Sequence, residues 1–427
     1  MQERKHNLWW ATAGERAVSP ALRGHDRADV AVIGAGIMGS AAALALAAGG
    51  AQVVLLEAGE VGEGASSRPG GFVVPHFSVG SPEEVRARVG DDADRLLQMV
   101  GGSAQAVFDR IRALGIACEA SQGGWYHPAH SAGALRRVRA VAEQWAALGH
   151  PGELLDPLDT AARTGAVGYA GSWFAPSGGT LHPLRYCRGL ADAAVACGVR
   201  IHEHSLAMAI ERRPGGYVVR TAQGELRVEK VVVCTNGLSS ELVPPMTASI
   251  VPLRVWQCAT EPLPLHWRQT LFQQGECLSD TRRNLFTYRF DAAGRLITGA
   301  LDAVGVSGRR AGQAMARRLA RALRLPDVPR IEFLWWGDSS LSAARLPVSL
   351  VVNGGVVSAT ACNARGIALS TAVGEAVGRY LLGGERPPVP VLGDGGRASA
   401  RLQSRLSRFY PHFAPLLDWL DTQRSHG

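Results

Sequence analysis

ADVAVIGAGIMGSAAALALAAGGAQVVLLEAG, Ala28 to Gly59, is the stretch that decides the fold of this chain. It reads as strand, tight glycine turn, helix, strand. The apolar run Val30, Val32, Ile33 ends at Gly34, and Gly34-Ala35-Gly36-Ile37-Met38-Gly39 is a G-x-G-x-x-G. Ser40 to Ala48 is small, apolar and helix-prone, Gly49-Gly50 stops it, and Val53 to Leu56 ends on Glu57. In such a unit the first glycine makes the turn, the second lets backbone approach a pyrophosphate, and the third lets helix pack on strand. Phosphates sit at the helix N-terminus, where free N–H groups and the helix dipole favour anions. Glu57 lies 23 residues after Gly34, where an acid can hold a ribose hydroxyl. Strand, glycines, helix and acid together point to a dinucleotide site. Val30 to Leu56 carries no charge and is long enough to suggest a membrane span. Its five glycines argue against one continuous helix, and buried parallel strands are expected to be this apolar.

Outward from that unit, 427 residues suggest two domains or one interleaved pair. A hydrophobic content of 46% with 19% charged residues is that of a globular chain. The formal net charge of +8 raises nucleic acid as a partner, but the basic residues are all arginine apart from Lys5 and Lys230. That, with the abundance of Ala and Gly, is the mark of coding bias. No basic block interleaved with aromatics occurs, so no nucleic-acid partner is expected, and the glycines that break Val30 to Leu56 leave no membrane partner expected either. The seven cysteines are scattered without a C-x-x-C pair, as for reduced thiols in a cytoplasm. Residues 1–27 lack an apolar h-region, so no secretory signal is expected.

Met1 to Arg27, with Leu8-Trp9-Trp10, reads as an arm packing on the body by its tryptophans. Ala58 to Phe72 is too glycine-rich for helix or strand and can wrap a flat or phosphorylated ligand. Ser81 to Leu114 reads as helices, Ile116 to Tyr126 has strand character, and Ala134 to Leu148 is an amphipathic helix. Ser172 to Thr180 reads as a short strand pair, and Pro183 to Cys197 as a helix entered by a proline. Arg200 to His204, Tyr217 to Thr221 and Leu226 to Cys234 read as strands. Ile250 to Leu301 alternates polar and apolar residues, as in a mostly antiparallel sheet. Gly312 to Leu323 reads as an arginine-rich, solvated helix, and Val351 to Thr360 as a buried strand. A helix from Ile367 to Leu382 follows, ended by Gly383-Gly384. Arg397 to Leu420 reads as an amphipathic helix.

These pieces resemble the flavin-dependent amine and amino-acid oxidoreductases of the D-amino-acid oxidase superfamily, among them the gamma-glutamylputrescine oxidoreductase, glycine oxidase and sarcosine oxidase groups. The likeness runs from Trp9 to Leu382. VIGAGIMG with LLEAG, GASSRPGGF, GGTLHPLRYCRGLADAA from Gly178, VVVCTNGLSS from Val231 and ATACNARGIALSTAVGEAVG from Ala359 carry it. It implies an α/β fold in which a Rossmann-type FAD-binding domain is interleaved with a substrate domain on a mixed or antiparallel sheet. The implied division is an arm over 1–27, a discontinuous FAD-binding domain over 28–80, 181–250 and 335–385, a substrate domain over 81–180 and 251–334, and a helical tail over 386–427.

By the same resemblance Gly34, Gly36, Ile37, Met38 and Gly39 line the pyrophosphate. Glu57 holds the adenosine ribose, with Ala58 beside it. Ser66, Ser67 and Arg68 sit beside the phosphates and ring, in a loop that closes at Gly71, and Leu206 contacts the adenine. Thr235, Asn236 and Leu238 close over the cofactor, and Asn363, Ala364, Arg365, Gly366 and Ile367 face the pyrimidine end of the flavin. A helix N-terminus there would stabilise negative charge on the reduced ring. The family's usual glycine and asparagine in the first loop are Ser67 and Pro69 here, and its late Gly-His is Ala364-Arg365. Some relatives tether the flavin through cysteine or histidine. Gly337 stands at the cysteine position and neither type occurs in Gly64 to Gly71, so non-covalent FAD is expected. The lysine that activates oxygen in some relatives aligns with Ile297. The sarcosine-type lysine and histidine align with Ala368 and Leu301, which argues against a sarcosine oxidase.

The implied reaction takes a hydride from the carbon next to nitrogen to flavin N5, giving an imine that water hydrolyses to a carbonyl and an amine. Hydrogen peroxide follows if oxygen is the acceptor. The protein's part is to orient the substrate and tune the flavin. Arg365 is the first catalytic candidate, as holder of a substrate carboxylate or of flavin or superoxide anion; a structural ion pair is the alternative. Tyr288 and Arg289 alternate in face on one strand, so one can point at the pocket. Trp256 and Trp335 or Trp336 can wall an apolar substrate, and His76 follows the flavin loop. For each of these, packing is the competing role. His202 and His204 share a strand face without further ligands, so no metal is expected. Three rivals remain: a dehydrogenase with a non-oxygen acceptor, a flavoenzyme acting on an unusual biosynthetic intermediate, and an interaction subunit with structural flavin. No feature fixes an oligomeric state.

Overall fold

The computed structural model describes residues 2–78, 80–238, 242–284, 286–303, 305–352, 354–392 and 410–423. Val30–Ile33 lies inside a six-stranded sheet, paired in parallel with Val53–Leu56 on one side and Lys230–Val233 on the other. Arg200–His202 forms one edge; Val356–Thr360 and then Val348–Val352 complete the other. Only that last pair is antiparallel. Side-chain alternation splits the strands between two cores. Val30, Val32, Val53 and Leu55 pack toward a helical layer, while Ala31, Ile33, Val54 and Leu56 pack against a second sheet. Both faces are covered, so the strands carry an unbroken apolar run.

The helical layer holds Ile37–Ala48, Ala93–Leu114, Pro183–Ala196 and Gly366–Leu381. Two of these helices touch through backbone. A Cβ on Gly374 would stand 2.3 Å from the Met38 carbonyl, and one on Gly378 would stand 2.9 Å from that of Ala42. The opposing sheet has four strands in the order Gly24–Arg27, Gly224–Val228, Gly216–Arg220, Ala209–Arg213.

The remaining body is an eight-stranded sheet in the order Ile331–Ser342, Ile250–Pro262, Arg295–Leu301, Thr287–Phe290, Cys277–Ser279, Trp125–Pro128, Ser172–Ala175, Glu153–Leu155. It is antiparallel except where Cys277–Ser279 meets Trp125–Pro128. Helix Gly308–Leu323 covers its first strands, and helix Ala132–Ala147 packs on Ser172–Ala175. The fold is therefore mixed α/β, with a Rossmann-like sheet beside a large, mostly antiparallel one. Among the described residues no helix is long and apolar enough to cross a membrane. No group of three or more potential metal ligands gathers among them either.

Several elements differ from the sequence reading. Leu226 to Cys234 is two strands: Gly224–Val228 joins the four-stranded sheet and Lys230–Val233 the six-stranded one. Both halves are apolar, so pattern alone hides the change of sheet at Glu229, whose N–H donates to the Asp29 carbonyl. Val351 to Thr360 belongs to a hairpin, Val348–Val352 with Val356–Thr360, whose turn includes Gly354 at φ 77°. Ser172–Ala175 and Gly179–Thr180 do not pair with each other; the first pairs with Trp125–Pro128 and the second with Phe72–Val73. In Ile116 to Tyr126 only the last two residues are in a strand. The arginine-rich helix starts at Gly308, and one of its arginines, Arg318, stacks on Phe286 at 4.3 Å. The expected boundary at 334/335 cuts the continuous strand Ile331–Ser342. The expected tail helix falls partly outside the described residues; Tyr410–Gln423 is helical.

Candidate active site

The glycine turn meets three different demands. Gly34 has φ 99°, which L side chains rarely adopt. Gly36 is extended, and a Cβ there would stand 2.9 Å from Ser66 Oγ. A Cβ on Gly39 would stand 1.8 Å from the Gly34 carbonyl oxygen, so this glycine serves close packing. Gly36 begins helix Ile37–Ala48 without a side-chain cap. The Ile37 N–H donates to Ser66 Oγ at 3.0 Å. Such an uncapped N-terminus is built for an anion. Glu57 closes the unit, accepting from Ala35 N at 2.7 Å and Gly59 N at 3.0 Å. Burial pushes its carboxyl above the ordinary range, against the pull of those donors.

A cavity of about 1770 Å³ runs from this turn into the seam between the two large sheets. Single-ligand pockets hold roughly 300–1,000 Å³, so a dinucleotide and a second small molecule both have room. Gly34, Gly36, Ile37, Met38, Glu57 and Ala58 line one end, with Leu206 beside them. Ser66 and Arg68, then Thr235, Asn236 and Leu238, line the middle; Ala364, Arg365, Gly366 and Ile367 follow. Thr235 Oγ1 is buried there without a protein partner, a group that a ligand would satisfy. Four expected residues lie off the wall. Gly39 is inside the helix–turn contact. Ser67 faces the arm, where Trp10 Nε1 donates to its Oγ at 3.1 Å. Gly71 is backed by Arg289 and the Leu181 carbonyl. The Asn363 side chain turns away to accept from Ser342 N at 2.9 Å.

The deep end is aromatic. His76, at φ 73°, stacks on Trp173 at 4.5 Å and leans on Trp145 at 4.5 Å. His127 stacks on Trp125 at 4.9 Å and bonds the Ser279 carbonyl oxygen through Nδ1 at 2.7 Å. All five rings line the cavity. Arg365 joins them, with its guanidinium 4.6 Å over Trp125 and Nη1 donating to the Pro75 carbonyl at 2.8 Å. No carboxylate among the described residues pairs with it. Burial, and then the Arg365 cation, pull His127 down to about 4 and His76 well below the ordinary imidazole range. Burial lowers Arg365 only to about 10. At neutral pH this compartment therefore holds two neutral imidazoles and one cation.

The structure separates the other candidates from this compartment. Tyr288 is fully buried between Phe272 and Phe286, with its hydroxyl donating to the Thr164 carbonyl at 3.4 Å. It does not reach the cavity, because its strand face packs into the interior beneath helix Gly308–Leu323. Arg289, on the opposite face, bonds the Gly70 and Leu181 carbonyls. Trp336 lies on the outside of its strand under Arg254, at 3.9 Å. Trp256 donates to Asp302 at 2.7 Å, and Trp335 packs on Trp9. The rings that do line the compartment, Trp125, Trp145, Trp173 and His127, went unread in sequence. The i, i+2 pair Trp125 and His127 was the available signal, since such residues share a strand face.

The departures from the family pattern also acquire places. A Cβ on Gly337 would stand 2.5 Å from Arg68 Cβ, so the wall is closed to a larger residue there. Ile297 is buried among Trp9, Ala259 and Trp335 and off the wall, whereas Leu301 lines it. Neither lysine lines the cavity; Lys230 donates to the Leu381 carbonyl at 2.6 Å.

Comparison with known proteins agrees with this architecture. The family described as FAD dependent oxidoreductase (DAO) matches residues 29–380. The probable oxidoreductase OrdL of Rhizobium meliloti (strain 1021) is 29% identical over 386 residues, 88% of this chain and 88% of that protein. Gamma-glutamylputrescine oxidoreductase of Escherichia coli (strain K12) is 30% identical over 355 residues, 81% of this chain and 82% of that protein. The crystal structure of glycine oxidase from Geobacillus kaustophilus superposes with a TM-score of 0.71 at 21% identity, covering 84% of this chain and 96% of that one.

Proposed function

Since this chain belongs to the DAO family of FAD-dependent oxidoreductases, we propose that it binds FAD non-covalently and oxidises a C–N bond in an amine or amino acid that carries a carboxylate. The names of its relatives supply the amine and amino-acid chemistry. The observation that supports the carboxylate is Arg365, a half-buried cation on the cavity wall whose hydrogen bond goes to a neutral carbonyl. The two bodies divide the work, the six-stranded sheet holding the cofactor and the eight-stranded sheet shaping the substrate end.

The uncapped helix at Gly36 would hold the pyrophosphate, Glu57 the adenosine ribose, and Arg68 and Thr235 the middle of the cofactor. Bound FAD would supply the hydride acceptor for the carbon next to the substrate nitrogen. Arg365 holds the substrate carboxylate and fixes which carbon faces the ring. Trp125, Trp145 and Trp173 exclude water and seat an apolar portion. His76 and His127, held neutral, are hydrogen-bonding groups that do not repel a substrate amine. The product is an imine that water hydrolyses to a carbonyl and an amine. The unpaired cysteines fit a reducing cytoplasm.

Oxygen is one acceptor for the second half of the cycle. The replacement of the oxygen-activating lysine by Ile297, with neither lysine on the wall, favours a second reading in which another acceptor takes the electrons. One experiment tests both. Purified yellow protein is acid-precipitated to see whether FAD is released, then screened anaerobically with amines and amino acids for bleaching before air is admitted. Fast recolouring identifies an oxidase and slow recolouring a dehydrogenase. Flavin that stays with the precipitate refutes non-covalent binding, and the absence of bleaching by every amine sinks the C–N reading.

A further inference from the structure

Four consecutive carbonyls of the loop after the nucleotide unit are each held by a side chain from elsewhere in the chain. Ser67 O accepts from Asn7 Nδ2 at 2.9 Å and Arg68 O from Trp335 Nε1 at 2.9 Å. Pro69 O accepts from Trp9 Nε1 at 2.7 Å and Gly70 O from Arg289 Nε at 2.8 Å. Trp10 Nε1 adds a bond to Ser67 Oγ at 3.1 Å. None of the five donors lines the cavity, whereas Ser66, Arg68, Pro69 and Gly70 do. The loop is thus a thin wall with cavity on one side and indole, amide and guanidinium donors on the other. An irregular backbone has no ladder to fix it, so side-chain donors decide where it sits.

Three of those donors, Asn7, Trp9 and Trp10, come from one short stretch of the N-terminal arm, and that stretch is itself held rigidly. Asn7 Oδ1 accepts from Trp9 N at 2.9 Å, and the Trp9 ring packs edge-on against Trp335 at 5.9 Å and His182 at 4.9 Å. Arg4, stacked at 4.0 Å on Trp10, pairs with Glu60 and Glu63 at 2.7 and 2.8 Å, just upstream of the loop.

We propose that Asn7, Trp9 and Trp10 are positioning residues that set the cofactor-facing loop from the side that never touches the cofactor, so that FAD retention depends on the N-terminal arm. This rests on the reading that the cavity holds FAD. Deleting one indole N–H leaves a buried acceptor unsatisfied and lets the loop relax. Phenylalanine keeps an aromatic ring in place, with little loss of packing at half-buried Trp10 and a small cavity at fully buried Trp9. The loss therefore falls on a bound ligand that needs the wall in place, and less on the fold.

The test uses full-length protein, with Trp9→Phe, Trp10→Phe and, as a control for general destabilisation, Leu319→Ala in helix Gly308–Leu323, whose core shares no residue with the cavity wall. FAD release from the holoprotein is followed by flavin fluorescence, and thermal unfolding by far-UV circular dichroism. One lost hydrogen bond predicts release faster by about tenfold in each Trp variant, with the melting temperature of the apoprotein nearly unchanged in Trp10→Phe and somewhat lowered in Trp9→Phe, where the indole is fully buried. Leu319→Ala is expected to melt earlier and to release FAD at the wild-type rate. Half-buried Trp10 carries the test if Trp9→Phe does not fold. Wild-type release rates in the Trp variants, or release that rises only as melting falls, would overturn the clamp alone. A wild-type apoprotein that takes up no FAD would overturn the cofactor reading and the clamp with it.

Discussion

Arg365→Met separates function from stability at one position. Burial pulls the Arg365 guanidinium down to about 10, so keeping it charged at neutral pH costs the fold ~3 kcal/mol. Against that stand the bond to the Pro75 carbonyl, about 2 kcal/mol for a charged donor, and the stacking on Trp125, about 1 kcal/mol. Methionine fills similar volume without the charge, so the melting temperature should hold or rise slightly. The substrate carboxylate, in contrast, loses a charge-assisted pair worth roughly 3 kcal/mol in a dry site, which raises KM about 100-fold. Arg365→Lys keeps the charge without the fork and should fall between. The assay is steady-state turnover with the amine found by anaerobic bleaching, beside thermal unfolding of the same preparations. A fall of several degrees in melting temperature with KM unchanged would refute the reasoning and make Arg365 a structural residue.

Gly39→Ala would press a Cβ onto the Gly34 carbonyl, 1.8 Å away; the strain should reach or exceed the ~3 kcal/mol end of core overpacking, read as early melting and low flavin content. Tyr288→Phe removes a hydroxyl that meets only Thr164, so kcat and KM should stay at wild-type values with at most about 1 kcal/mol lost from unfolding; a large fall in kcat would return Tyr288 to the active site. His182 caps helix Pro183–Ala196 by accepting from Arg185 N at 3.2 Å, and burial, then the Arg185 and Arg289 cations, pull it from 6.5 to about 3. Its folded form binds the proton less well than its unfolded form, so the stability it contributes is whole above pH 6.5 and drains by ~1.4 kcal/mol per pH unit below that. His182→Asn keeps an acceptor at the cap and should lose less stability than wild type between pH 7 and about 4.5 in paired thermal melts; equal losses would show that the cap is indifferent to protonation.

The sequence by itself determined the strand–turn–helix–strand unit over Ala28 to Gly59. Gly34, Gly36, Gly39 and Glu57 are local constraints: each is dictated by neighbours within about thirty residues, through a turn angle, a close approach or a strand end, so they can be read without knowing the rest. The helix at Gly366 was legible for the same reason, whereas the apolar run before it folds as part of a hairpin that pattern alone does not show. The aromatic end of the cavity was decided only by tertiary structure. Trp125, Trp145, Trp173 and His76 come from two strands, a helix and a loop far apart in the chain, and no local rule tells which tryptophan lines a cavity and which fills a core. Trp256 and Trp336 have the same chemistry as Trp125 and yet point outward, because the facing of a strand is fixed by what packs on it. Tyr288 misses the cavity for the same reason, although its strand face turns into the interior beneath helix Gly308–Leu323. The loop carbonyls at 67–70 complete the contrast: their sequence announces a flexible glycine-rich wrap, and only the folded chain brings Asn7, Trp9, Trp335 and Arg289 to hold it still.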